Sequence, residues 1–157
     1  MMFEKERREI IRCGQELERR ALVEFSGGNV SLRVGRNRFL VTPSAMPYDT
    51  MNPEDVVLVD ETGAVLDGAR RPTSDLKAVL YIFRHMTEVG AVIHTHQPYA
   101  VAAGLLTDEL PVVSVTMADE LHGCVPVAPF TISSDERMGI ETVEHAGKAP
   151  AVLLKHH

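Results

Sequence analysis

The sequence is sparing with cysteine, short of positive charge and free of any long apolar run, and each shortage closes off a class of function. Its two cysteines, Cys13 and Cys124, stand too far apart to form a metal-binding or redox spacing. A disulfide scaffold and a thiolate metal site are therefore excluded, and a reduced, cytoplasmic setting is expected. Sixteen Lys and Arg against 22 Asp and Glu leave a net charge of -6, which argues against a nucleic-acid partner. An anionic ligand would have to be held by local donors rather than by the overall field. No apolar run approaches the ~20 residues of a membrane-spanning helix, so no membrane partner is expected. The opening MMFEKERREI lacks the apolar stretch of a signal peptide. Repeats, low-complexity tracts and linkers are missing too, and 157 residues fit one domain, 1–157, around a single core.

What is present alternates between helical and extended patterns. Phe3, Ile10, Gly14, Leu17 and Ala21 recur at helical spacing with charges between them, which predicts an amphipathic helix over the first twenty residues. FSGGNVSLRV turns through Gly27 and Gly28 into a strand, and RFLVTP, DVVLVD and the end of ETGAVLDG supply three more. RPTSDLKAVLYIFRHM reads as a helix, with Thr73 or Ser74 as its N-cap, Asp75 in the first turn and an apolar stripe through Leu76, Val79, Leu80, Phe83 and Met86. GAVIHTH reads as a strand and PYAVAAGLL as a short helix. LPVVSVT and CVPVAPF read as strands, SSDERMGIETVEHA as a helix and PAVLLKHH as a last strand. Alternating elements of this kind argue for an α/β fold packed in layers without fixing the strand order.

AVIHTHQPYA poses the functional question, because Val, Ile or Thr would suit a buried strand better than His94 and His96. On a strand, residues two apart face the same way, with Cα atoms ~6.5–7 Å apart. Two imidazoles so placed can lean onto one ion at ~2.0–2.1 Å. They can equally be hydrogen-bonded histidines at a strand end, and two ligands are too few for a stable site. Further candidates are Asp75, whose carboxylate at a helix start can also serve the dipole, and His156 or His157 after the apolar AVLL. His85, His122 and His145 read as solvent-facing or locally bonded.

Taken in order, GGNVS, VTPSAMPYDTMNPEDVVLVD, RPTSD, VIHTH, VPVAPF and AVLLKHH resemble the class II aldolase/adducin family over nearly the whole chain. The resemblance implies a layered α/β/α domain with a central, largely antiparallel sheet. It implies a divalent metal, usually zinc, on His94, His96 and His157, the second histidine of KHH being favoured over His156. Asp75 matches the acid that stands at the metal after a P-[ST]-S motif. Fuculose-phosphate-type aldolases usually carry Glu there and ribulose-phosphate 4-epimerases Asp. Asp119 falls where the epimerases keep an acid/base aspartate, so the resemblance leans towards an L-ribulose-5-phosphate 4-epimerase-like enzyme acting on a phosphorylated ketose. The alternatives are an aldolase of the same family that releases the aldehyde, and a non-catalytic, adducin-like interaction module.

Phosphate is handled by uncharged donors in that family, which suits a chain of net negative charge. Gly28 and Asn29 match its glycine-rich turn, Ser44 and Ala45 its [ST]-G step, and Thr73 and Ser74 its hydroxyl pair at a helix start. Ala45 departs from the usual Gly, which weakens the site if the position requires φ > 0. Relatives run on for several dozen residues past the last metal histidine. The resemblance therefore implies a missing C-terminal part, which in the epimerases lends a catalytic Tyr to a neighbouring subunit. It implies a homotetramer for the full-length form.

Overall fold

The computed structural model describes residues 1–157. Helix α1 spans Glu4–Arg19 and is followed by strands β1 (Asn29–Gly35) and β2 (Arg38–Val41). A 3-10 turn at Pro53–Asp55 leads to β3 (Val57–Asp60) and β4 (Val65–Asp67), then α2 (Leu76–His85) and β5 (Ala91–His94). The rest comprises α3 (Pro98–Leu106), β6 (Glu109–Leu110), α4 (Val115–Leu121), β7 (Val125–Ala128), α5 (Glu136–Ala146) and β8 (Leu153–Leu154). No helix is long and apolar enough to cross a membrane.

The main sheet has five strands in the order β4-β3-β2-β1-β5, every pair antiparallel. Its central strands β2 and β3 are buried on both faces, and the strand alternation shows why. Leu40 and Leu58 point to one side, where they meet Ile10, Ile11 and Leu17 of α1. Phe39, Val41, Val57 and Val59 point to the other, against Val79, Leu80 and Phe83 of α2. Helix α5 lies against α2, and Gly139 permits the approach. A Cβ there would sit 2.5 Å from the carbonyl oxygen of Ala78. The expected α/β/α layering and the largely antiparallel central sheet are thus observed. A smaller sheet, β6-β7-β8, combines one antiparallel and one parallel pair, and no strand ladder joins it to the first.

Four local expectations are corrected. LPVVSVT is strand only at its start. Ser114 accepts the amide of Met117 at 3.2 Å, and this cap turns the β-branched run into α4. The histidine strand stops at His94, so His96 lies beyond it, and the last strand stops at Leu154, leaving His156 and His157 in a turn. Helix α2 begins at Leu76, which puts Asp75 rather than Thr73 or Ser74 at the N-cap position. Asp75 makes no side-chain cap there, because its carboxylate is committed elsewhere. Cys13 and Cys124 are free thiols.

Candidate metal centre and anion pocket

His94 ends β5, where it pairs with Asn29 on β1. Although the ladder ends there, the next residues remain aligned because the loop before β1 pins them. The His96 amide donates to the Leu22 carbonyl at 3.1 Å, and the Gly27–Gly28 turn lies against the chain between the two histidines. Gly28 has φ +68°, and a Cβ on it would fall 2.4 Å from the His94 carbonyl oxygen. Only glycine meets both conditions. His157 arrives from the other sheet. After β8, Lys155 donates its amide to Ala128 and His157 to Leu154, while His156 takes a left-handed φ of 56°. That turn sends His156 outward, beside Phe130, and His157 inward.

The three rings meet. His94 Nε2 lies 3.0 Å from His96 Nε2 and 3.0 Å from His157 Nε2, and the candidate ligand nitrogens all lie within 4.8 Å of one another. One imidazole nitrogen carries either a proton or a lone pair, so it cannot hydrogen-bond both neighbours through a single site. A shared cation satisfies all three at once. Two nitrogens bound at ~2.1 Å to a tetrahedral ion stand roughly 3.4 Å apart, close to the separation found. Electrostatics favour the same outcome. Burial, then the facing His157 and His96 rings, push the His94 pKa down to about 4, with Asp75 opposing. Burial and His96 also lower that of His157, again against Asp75. The His94 ring is therefore neutral near pH 7, the state in which it offers a lone pair.

Two cavities meet at these rings. One, of about 510 Å³, is lined by Ser26, Gly27, Gly28, Ser44, Ala45, Thr73, Ser74 and Ser133, with His96, His157 and Asp75 at its edge. It has hydroxyls and backbone amides but no Lys or Arg, which is the composition of an anion site built from neutral donors. The other, of about 450 Å³, is mostly apolar and runs between β5, β8, α2 and α5, with Asn29, Asp75, His94 and His157 at one end.

Of the six residues expected at the phosphate, Gly28, Ser44, Ala45, Thr73 and Ser74 line the polar cavity, whereas Asn29 does not. Its side chain is 2% exposed and donates to Asp75 Oδ2 at 2.9 Å. The other Asp75 oxygen accepts the Ser134 amide at 3.2 Å. Asp75 lies beside the rings but outside the group of three. Asp119 is exposed on α4 and lines neither cavity. Ser26, Ser133 and Ser134 are additions to the site. They sit in the Ser- and Gly-rich turns FSGGN and TISSD, which read only as loop punctuation until the fold closes them over the histidines.

The sequence family described as "Class II Aldolase and Adducin N-terminal domain" matches residues 8–157. The chain belongs to the class II aldolase/adducin family. It is 35% identical, over all of its own length and 74% of the relative's, to the 5-deoxy-D-ribulose 1-phosphate aldolase of Bacillus thuringiensis serovar kurstaki. Among solved structures it is similar to an L-fuculose 1-phosphate aldolase, with a TM-score of 0.89 and 27% identity over 96% of this chain and 71% of that one. The L-fuculose-1-phosphate aldolase of Thermus thermophilus is similar as well. There the TM-score is 0.82 and the identity 26%, over 94% of this chain and 73% of that one.

Proposed function

We propose that residues 1–157 form one domain of a zinc-dependent class II aldolase that cleaves a phosphorylated ketose. The observation that carries this reading is the meeting of His94, His96 and His157 at the rim of a polar, cation-free cavity. The similarity to two kinds of ketose 1-phosphate aldolase supports it. Three neutral imidazoles suit zinc and leave its charge largely intact. When bound, the ion supplies a Lewis acid that polarises the ketone and its neighbouring hydroxyl.

The chain's own groups do the rest. Gly28, Ser44, Ala45, Thr73 and Ser74 seat the phosphate through hydroxyls and backbone N–H groups, which fixes the ketone end against the histidines. Breaking the carbon–carbon bond requires a proton to leave the hydroxyl on the departing carbon. A proton must then be returned to the carbon beside the ketone. Asp75, which lines both cavities, serves that carbon in this reading. The epimerase outcome calls for a further acid/base group, and Asp119, exposed on α4, gives it no support here. Large apolar side chains left open at Tyr99, Leu106, Val113 and Val115 support assembly as a homo-oligomer.

The test is product analysis on zinc-loaded protein. Incubation with 5-deoxy-D-ribulose 1-phosphate and L-fuculose 1-phosphate is expected to release dihydroxyacetone phosphate and an aldehyde. Inverted pentose from L-ribulose 5-phosphate without free aldehyde overturns the aldolase outcome in favour of the epimerase. The His94→Ala, His96→Ala double variant should lose stoichiometric zinc and about 10³-fold or more in kcat, equivalent to ~4 kcal/mol. Wild-type protein that binds no metal but captures a protein partner identifies an interaction module instead.

A further inference from the structure

Away from the histidines, a third cavity has the opposite character to the polar one. It holds about 450 Å³ and lies between α1 and the segment 51–53. Lys5, Arg8 and Arg12 supply its charge, and Ile11, Met51 and Pro53 its apolar surface. No carboxylate lines it, although the chain carries 22 Asp and Glu. It shares no lining residue with either cavity at the histidines.

The three cations stand at i, i+3 and i+7 of α1, which sets them along one face with Cα atoms spread over roughly 10 Å. Like charges at these spacings repel, and a cation in the first turn, as at Lys5, opposes the helix dipole. A stable helix alone gives no reason for such a row. Elsewhere on α1 the cations are answered: Arg7 pairs with Asp67, while Arg19 and the C-cap Arg20 share Glu16. Arg8 meets Glu4 at 2.7 Å and Lys5 meets Glu9 only at 3.9 Å, both carboxylates standing outside the lining. Arg12 alone among these basic residues enters no ion pair.

The wall facing the helix is tied down. Gln15 Nε2 donates to the Tyr48 carbonyl at 3.3 Å and Asn52 Nδ2 to the Thr50 carbonyl at 3.2 Å. The Asn52 amide donates to Asp55 Oδ2 at 2.9 Å, and the other Asp55 oxygen accepts from Arg70 at 2.8 Å. The acid that adjoins the segment is therefore neutralised by other partners.

We infer that this cavity is a second ligand site, which takes a small molecule bearing two phosphate groups. Cations spread over ~10 Å suit a pair of phosphates better than a single one. The volume falls within the ~300–1,000 Å³ of small-molecule sites. Ile11, Met51 and Pro53 offer apolar contact to the body that carries the phosphates. A nucleoside diphosphate and a sugar bisphosphate share this chemistry. The inference does not rest on the aldolase reading, since none of its residues belongs to that site.

The experiment is calorimetric titration of the zinc-loaded protein with ADP and, separately, with glucose 1,6-bisphosphate. One molecule of at least one ligand is expected to bind per chain with Kd of about 100 μM or below. The tighter of the two identifies the source. Arg8→Gln with Arg12→Gln should weaken binding about tenfold or more, and Lys5→Ala about threefold or more. Arg19→Gln with Arg20→Gln removes the same charge from the same helix outside the cavity and should stay within about threefold. Thr73→Ala with Ser74→Ala, in the polar cavity, should stay within about threefold as well. Lys5, Arg8 and Arg12 are exposed, so their variants should melt within a few degrees of wild type.

No saturable binding of either ligand below about 1 mM overturns the proposal. Equal weakening in the Arg19, Arg20 variant overturns it too, by making the effect one of net charge. Weakening in the Thr73, Ser74 variant instead overturns it by returning the ligand to the polar cavity.

Discussion

Ala45 stands at the wall of the polar cavity with φ 56°, a left-handed backbone in which its Cβ crowds the following carbonyl. For an L-residue that conformation costs roughly 1–2 kcal/mol, and replacing it by Gly returns about 0.5–1 kcal/mol of the gain as unfolded-state freedom. Ala45→Gly is therefore expected to raise stability by ~0.5–1 kcal/mol, read as a rise of a few degrees in thermal unfolding. It should also lower KM for the phosphorylated ketose, since the backbone can then approach the anion. The sequence flags this residue only through the family's preference for Gly, because no local pattern reveals the sign of φ. The histidines were legible for a better reason. A pair two apart in an apolar run is out of place in a core, and that oddity survives without any fold. His157 was harder, since the choice over His156 depends on a left-handed turn at His156 that the letters KHH do not encode.

Elements show where periodicity informs and where it misleads. The strands RFLV and VLVD were legible because β-branched and aromatic residues fill both faces, and the fold buries both. VVSVT offered the same composition, but Ser114 capped it into a helix, so one hydroxyl outweighed three valines. Within α1, Arg7 read as one charge among many, yet it is 1% exposed. It donates to carbonyls of Met2, Pro53 and Val56 and to Asp67, tying the helix to β4. Helical spacing places a residue on a face and does not say which face finds a buried partner. Packing of α2 on α5 is testable through Gly139. A methyl there meets the Ala78 backbone at 2.5 Å and 2.8 Å, so the two helices must separate. Gly139→Ala should cost about 1–3 kcal/mol in denaturant unfolding, whereas Gly90→Ala, with open space around it, should stay within ~0.5 kcal/mol.

At the scale of the molecule, an acidic protein of net charge -6 has, in the cavity proposed for the phosphate, not a single Lys or Arg in its lining. Attraction at a distance is thus absent, and the global field opposes the substrate. Raising ionic strength from about 20 to about 200 mM should leave KM for the phosphorylated ketose unchanged or lower it, because salt screens that repulsion. A steep rise in KM with salt would mean that a cation outside the described lining holds the phosphate. Composition made a cavity lining without cations foreseeable, since net charge is read directly from the sequence. The division into two sheets was not, because strand order follows from which edges remain open after collapse.

That division changes what the proposed metal would do for this chain. His94 closes the five-stranded sheet and His157 follows the three-stranded one, and between them there is no ladder. An ion gripped by both acts as a rivet across the seam, so its binding energy adds to the cohesion of the whole fold as its concentration rises above Kd. In the proposed enzyme, chemistry and mechanical integrity would then share one bolt: a chelator that silences the reaction is expected also to lower the melting temperature.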